Sequence, residues 1–472
     1  MPAAISGIIA NEKRRAMMER KHTWLFMIFA ILLLGCAFLT ACTPQEQRAM
    51  DLPTVRGEMA KLEGEEGNWL GLDAEEKLAD FDYLYQTLEE NYPYFQVLKR
   101  MEAVDLTALY QQMRPKIGES ASDAAYFVLL NQFTDQAQSV GHLSLITPMD
   151  YEWFVQTYQN TEGVPESQLS IQKRLAEAYG NPLSQASYRG LSAIIQPVLE
   201  RVQQYYAQME PAPEGMAEEQ PNVETRIVEE GHIAYIAVNS FDMSYYEEDR
   251  EKLFQFYEKV QDYEHVIFDL TNNFGGGMSY FDDLLVAPNI SEPLTCQTYE
   301  LVKTGALNQQ FIDLSEYQPI AELGPLPQMN QQDLRELDAF YAQTYSVAPL
   351  AEEKCLKGRL WLLVGPNVFS SSEYAAMFSK ATGFAALVGQ RTGGDGIGED
   401  PIPIVLPNSG LIVRYSAVYG VTADGTGSQE FGTEPDFYSA EGESALDTCL
   451  RMIAQMENSI EPNGLHTDLA HR

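Results

Sequence analysis

Ser370-Ser371-Ser372-Glu373 stands directly before a stretch with helical spacing, 374–380, and directly after a strand and a turn. The strand is the apolar run Gly358-Arg-Leu-Trp-Leu-Leu-Val364, and Gly365-Pro366-Asn367 makes the turn. A serine placed there sits at a helix N-terminus, where free backbone N–H groups and the helix dipole can stabilise a developing oxyanion. The same letters also spell a capping box, in which the serine bonds back to its own helix and the glutamate returns the bond. The two readings differ in whether the serine hydroxyl is free.

A second segment, Asp269-Leu-Thr-Asn-Asn-Phe-Gly-Gly-Gly277, follows the short strand His265-Val-Ile-Phe268. Consecutive glycines allow positive φ and close backbone approach, so this turn can aim N–H groups at a reacting atom. It has neither the Walker lysine nor the G-x-G-x-x-G spacing of a phosphate loop. The amides of Gly275 or Gly276, with that of Ser371, are the candidate oxyanion donors. A serine also needs a base. Of six histidines, His22 lies in a basic-apolar leader, His466 and His471 in a polar tail, and His232 and His265 at the openings of apolar runs. His142 remains, in Ser139-Val-Gly-His-Leu-Ser-Leu-Ile146, where helical spacing at 124–136 meets a short strand. No C-x-x-C or H-E-x-x-H pattern is present, and this chemistry requires neither metal nor cofactor.

Together the two segments resemble the tail-specific (C-terminal processing) serine peptidase family, with its Asp-Leu-Arg-x-Asn-x-Gly-Gly turn and its later Ser-Ala-Ser-Glu-like turn. The likeness continues through Leu387-Val-Gly-Gln-Arg-Thr-Gly-Gly394 and Glu430-Phe-Gly-Thr-Glu-Pro-Asp436. It covers about residues 223–440, more weakly 76–148, and implies Ser370 as nucleophile. Many members carry an activating lysine in the glycine-rich turn; Asp395 stands there, and no lysine follows Lys380. A Ser/Lys dyad on that turn is therefore excluded. Thr271 also replaces the family's usual arginine. The tricorn-like branch, which uses a serine, a histidine and a glutamate, is similar to what remains. That resemblance implies His142 as base and Glu430 as the group that orients it, directly or through another group, and stabilises its cation.

The chain is 472 residues long, with 31 basic and 68 acidic residues and a formal charge of −37. Residues 24–40 form one apolar run after Arg20 and Lys21, ending in Leu39-Thr-Ala-Cys42. This end resembles a bacterial lipobox, which implies lipidation of Cys42 and a body tethered outside the cytoplasm; a retained signal-anchor helix is the other reading. Removing residues 1–41 takes away Lys13, Arg14, Arg15, Arg20 and Lys21 against Glu12 and Glu19, moving the charge from −37 to −40. Such acidity argues against nucleic acid or direct binding to anionic lipid and suits a soluble domain on a tether; peptide or protein substrates are what the family resemblance implies. The three cysteines beyond Cys42 (Cys296, Cys355 and Cys449) exclude a disulfide scaffold.

The expected organisation is a signal peptide (1–41), an acidic tether (42–75) and an N-terminal helical domain (76–148). A helical insert and linker (149–222), a peptidase core (223–440) and a C-terminal helix and tail (441–472) follow. Strands and helices alternate at 233–238, 246–260, 266–270, 360–364 and 370–380, which predicts an α/β core with a largely parallel sheet. By resemblance this is the Clp protease/crotonase-like fold, and no PDZ-type pattern is evident. Two further classes fit parts of the chain: an inactive peptide- or envelope-binding relative, and a solute-binding lipoprotein. A serine esterase would lack its G-x-S-x-G elbow.

Overall fold

A computed structural model describes residues 53–161, 168–209 and 221–460. The leader, Cys42 and the C-terminal tail lie outside the described residues. The chain divides into two compact units at residue 58. Of the first, the described part is the start of a helix, Pro53–Met59. All that follows concerns the second unit.

Its centre is a six-stranded sheet with the spatial order Phe437–Tyr438, Ala386–Gly389, Arg359–Val364, His265–Asp269, Ile233–Val238 and Val223–Glu229. The first five are parallel, and the last closes an antiparallel hairpin. The apolar letters run unbroken because both faces are covered. Val266, Phe268, Leu360 and Leu362 point to one face, against the helices Tyr246–Val260 and Ser371–Thr382. Ile267, Trp361 and Leu363 point to the other, against Cys449 and Ile453 of the helix Ala445–Ile460. The two-residue period of a strand sorts alternate side chains into separate cores.

Two antiparallel sheets were not expected from the sequence. One has the order Val418–Thr422, Leu294–Val302, Ala339–Val347, Gln318–Pro319; in the other, Ile412–Tyr415 is central and pairs with Ser144–Leu145 on one side and Ile402–Val405 on the other. The long strands Leu294–Val302 and Ala339–Val347 mix buried and exposed positions and carry polar letters, so they do not read as core strands, whereas Ile402–Val405 and Ile412–Tyr415 are largely apolar but only four residues long.

The N-terminal helices Ala74–Asn91, Leu106–Gly118 and Asp123–Asp135 pack ahead of the core. Asp73 caps the first through a capping box with Glu76. Leu84, Leu88 and Tyr92 are fully buried on its inner side. Asp80, also buried, accepts the N–H groups of Asn408 and Ser409 (2.7 and 2.8 Å) and so ties this helix to the turn before Ile412–Tyr415. Helices Pro148–Gln159, Leu169–Tyr179 and Pro182–Met209 follow.

Candidate active site

The strand Arg359–Val364 feeds a turn that delivers Ser370 to the start of the helix Ser371–Thr382. Ser370 has φ 59° and ψ −127°, a strained backbone conformation for a residue with a Cβ. It is held there by its N–H, which donates to Gly394 O (3.0 Å), and by its carbonyl, which accepts from Tyr374 N–H (3.0 Å). The capping reading does not hold, because the Ser370 side chain makes no cap bond. Ser372 takes the local role instead: its Oγ accepts from Phe369 N–H and donates to Asn273 O (2.6 Å), joining the serine turn to the glycine turn. Glu373 does not reach back either. It is buried behind the turn, accepts from Thr433 Oγ1 (2.6 Å), and burial pushes its carboxyl up to about 8. The Ser370 hydroxyl is thus left free, 3.2 Å from His142 Nε2.

His142 sits in a turn built from left-handed residues: Gln138, Ser139, Gly141 and His142 all have φ between 47° and 66°. Gly141 is required twice over, since a Cβ there would also lie 2.5 Å from the Tyr94 ring and 2.9 Å from that of Tyr92. The turn is pinned on three sides. Tyr92 OH donates to Val140 O (2.7 Å), Ser416 N–H donates to Gly141 O (2.7 Å), and Gly141 N–H donates to Gln429 Oε1 (2.8 Å).

The other imidazole nitrogen, Nδ1, lies 2.6 Å from Asp395 Oδ2 and 3.0 Å from Ser416 Oγ, and Ser416 Oγ–H also donates to Asp395 (3.0 Å). A carboxylate only accepts, so Nδ1 carries the proton and Nε2 presents its lone pair to Ser370. Asp395 is 8 % exposed and also has a positive φ, 60°. Tyr94 OH, which donates to Val418 O (2.7 Å), lies 3.4 Å from its second oxygen.

Glu430 is not at the imidazole. Its carboxylate is clamped by Arg100 (2.9 and 2.7 Å), whose guanidinium also forks onto Asp333 (2.9 and 2.6 Å). Glu430 lies on the short helix Ser428–Phe431, where consecutive side chains point about 100° apart. Its neighbour Gln429 turns inward to the histidine turn while Glu430 turns outward. The carboxylate beside His142 is Asp395, which stands where the family's lysine was expected. Asp395 and Ser416 were missed. The signal for Asp395 was its place in the glycine-rich turn already singled out as the usual source of the base.

Among the oxyanion candidates, Gly275 is corrected: its N–H donates to Asn273 Oδ1 (2.8 Å) and is used up. Its role is close approach, since a Cβ there would lie 2.9 Å from Phe369 O and 3.0 Å from Ser371 N. The N–H groups of Gly276 and Ser371 have no partner among the described residues, and both residues line the same cleft as Ser370 and His142. Gly276 has φ 137°, and a Cβ there would lie 2.3 Å from the Phe241 carbonyl. Thr271, in the usual arginine position, bonds locally to Asp269. The cleft is about 260 Å³, with apolar walls from Ile171, Leu175, Phe311 and Ile397. A larger depression of about 680 Å³, around Asn289 and Lys380, contains none of these groups.

A free serine on a strained strand-to-helix turn, an imidazole and a buried carboxylate in series, and two unpaired amides beside them define a serine-type hydrolase site. The model of Peptidase family S41 matches residues 232–439, so that span is a Peptidase S41 domain and the chain is a serine-type peptidase. Ser370, Asp395, Ser416 and both glycines fall inside it; His142 precedes it. Among solved structures, a protein from Parabacteroides merdae ATCC 43184 is 17% identical, with 82% of this chain and 97% of that chain covered and a TM-score of 0.48. Mature CPAF is 13% identical (82% and 98% covered, TM-score 0.46). The photosystem II D1 C-terminal processing protease is 12% identical (80% and 96% covered, TM-score 0.38). No curated protein sequence matches the chain.

Proposed function

We propose that this peptidase is an endopeptidase held at the outer face of a bacterial membrane by lipid on Cys42, and that it works through Ser370, His142 and Asp395. His142 Nε2 takes the hydroxyl proton as Ser370 Oγ attacks the peptide carbonyl. The C=O electrons move onto oxygen, which the amides of Gly276 and Ser371 receive; each such donor is worth about 3 kcal/mol of barrier. The imidazolium then protonates the leaving amine, the C–N bond breaks, and the acyl group stays on Ser370. Water repeats the sequence, with its proton passing to His142, and frees the acid. Asp395 fixes the Nδ1–H tautomer and stabilises the cation without itself taking a proton.

The reading is carried by the hydrogen-bonded series Ser370 Oγ, His142 Nε2/Nδ1, Asp395 Oδ2, at 3.2 and 2.6 Å. The test is labelling of the body from Thr43 onward with a fluorophosphonate probe, alongside Ser370→Ala, His142→Ala and Asp395→Asn. Labelling of the parent, lost in the first two and slowed in the third, is expected. A folded parent that neither labels nor cleaves casein would make the domain a binding protein on a peptidase fold.

The apolar run ending in Leu39-Thr-Ala-Cys42 supports the tether. No helix among the described residues is long and apolar enough to cross a membrane. The mass of the mature N-terminus checks the anchor: a lipid-modified Cys42, absent in Cys42→Ala, is expected, and an intact leader would show a retained helix instead.

A further inference from the structure

At the end of the six-stranded sheet opposite Ser370, where the parallel strands begin, four side chains from three separate segments converge. They are His232 at the hairpin turn, Glu264 and His265 at the start of a core strand, and Glu457 on the helix Ala445–Ile460. One donor atom from each lies within 4.8 Å of all the others. We propose that this cluster binds a zinc-type divalent cation through His232 Nε2, Glu264 and Glu457, and so fastens the C-terminal helix to the sheet.

The hydrogen-bond pattern separates ligands from supports. His232 Nδ1 lies 3.2 Å from Glu229 Oε2. Nδ1–H therefore donates to that carboxylate, which leaves Nε2 as the coordinating atom, the arrangement by which metal-binding imidazoles are commonly oriented. Without an ion, His232 Nε2–H donates to Glu457 and Nε2 lies 4.0 Å from Glu264 Oε2; an ion bound at Nε2 takes the place of that proton, which passes to solvent. His265 is different. Trp361 Nε1–H can only donate, and it points at His265 Nδ1 (3.2 Å). The His265 proton is therefore on Nε2, facing Glu457 Oε1 at 3.4 Å. His265 is a positioning residue that holds a ligating carboxylate, not a ligand.

One imidazole and two carboxylates suit a zinc-type ion better than calcium or magnesium, which favour all-oxygen sites. Ligand distances of about 2.0–2.2 Å require the ion to displace the hydrogen between His232 and Glu457. They also require Glu264 to move inward, which its side chain, 72% exposed, is free to do. Water completes the tetrahedron.

The test uses the full untagged chain in detergent, stripped with chelator and titrated with Zn²⁺ or Co²⁺, with Ca²⁺ and Mg²⁺ as controls. One Zn²⁺ per chain, a Tm that rises with zinc but not with calcium or magnesium, and Co²⁺ quenching of tryptophan emission that is largely lost in Trp361→Phe are expected. His232→Asn and Glu457→Gln abolish all three responses. Glu264→Gln, at an exposed position that cannot disturb the fold, weakens binding, and Glu229→Gln weakens it about 10-fold. Fluorophosphonate labelling, which reads the distant Ser370, stays unchanged in every variant and reports that each is folded. Zinc uptake that survives in His232→Asn and Glu264→Gln, as tail binding through His466 and His471 would, overturns the proposal. So does the absence of uptake in the parent.

Discussion

Ser370, His142 and Asp395 share a property rarer than their chemistry: all three have positive φ. Each such residue costs on the order of 1–3 kcal/mol and persists only where its surroundings over-determine it. Here the surroundings do so, through Gly394 O for Ser370, three pinning bonds for the His142 turn, and Tyr94 and Ser416 for Asp395. The assignment of Asp395 in place of Glu430 makes a sharp prediction. Asp395→Asn lowers kcat by about 10³–10⁴-fold with little change in KM, as expected when an imidazole loses its orienting anion. Glu430→Gln leaves kcat near the parent value, because the removed charge faces Arg100. Steady-state kinetics on one peptide substrate compares the two.

Glu373 carries a second prediction at this scale. Its buried carboxyl is pushed up to about 8, first by loss of solvent, with the nearby Asp395 charge adding to it and hydrogen bonds from Thr392 and Thr433 opposing. Between the ordinary value of 4.5 and about 8 the folded state binds this proton and the unfolded state does not. Stability therefore falls as pH rises through that window, and the full benefit is present only below it. Thermal unfolding at successive pH values checks this. The parent loses Tm between about pH 4.5 and 8, and Glu373→Gln, neutral throughout, loses less. Identical slopes would show that Glu373 titrates normally.

At the scale of elements, the site is a meeting of turns, each set by a rigid neighbour. The core strands end together, so the turns that follow Asp269 and Val364 are brought side by side. Ser372 then stitches them through Asn273 O. The histidine turn comes from outside this sheet and is positioned by Ser416, which follows the small-sheet strand Ile412–Tyr415, and by Gln429 on the short helix Ser428–Phe431. Gly141 is its hinge point. Gly141→Ala adds a Cβ 2.5 Å from the Tyr94 ring at φ 54° and costs about 1–3 kcal/mol of stability. It also swings Nε2 away from Ser370. Fluorophosphonate labelling of this variant falls even below its melting transition, whereas a purely global effect would leave the labelling rate of the folded fraction intact.

For the whole molecule, the excess of acid matters more than any single pair. A formal charge of −37 on 472 residues sets up self-repulsion that opposes the compact state. Salt screens it, with a Debye length near 30 Å at 0.01 M and about 8 Å at 0.15 M. Tm rises between those two ionic strengths; a fall would mean that specific ion pairs such as Arg100 with Asp333 and Glu430 outweigh the net repulsion.

The residues that were legible in the sequence are those whose role is written in a short window. Ser370 follows its own strand and turn, the glycine turn follows its own strand, and His142 ends its own helix-to-strand corner; local spacing made them candidates, and the resemblance to the peptidase family, not the spacing, chose them over capping and packing roles. The α/β core was legible for the same reason, since strands buried on both faces are unbroken apolar runs. What required the tertiary structure was the choice among equivalents. Several carboxylates lie in the C-terminal third, and nothing in the local letters says which one packing brings to an imidazole 253 residues away in sequence. Gly275 and Gly276 are adjacent and identical, and only Asn273 decides which amide stays free. The four-stranded antiparallel sheet escaped because its long strands mix polar and apolar letters and Leu294–Val302 pairs with Val418–Thr422 far along the chain; the small sheet escaped because its strands are only two to four residues long.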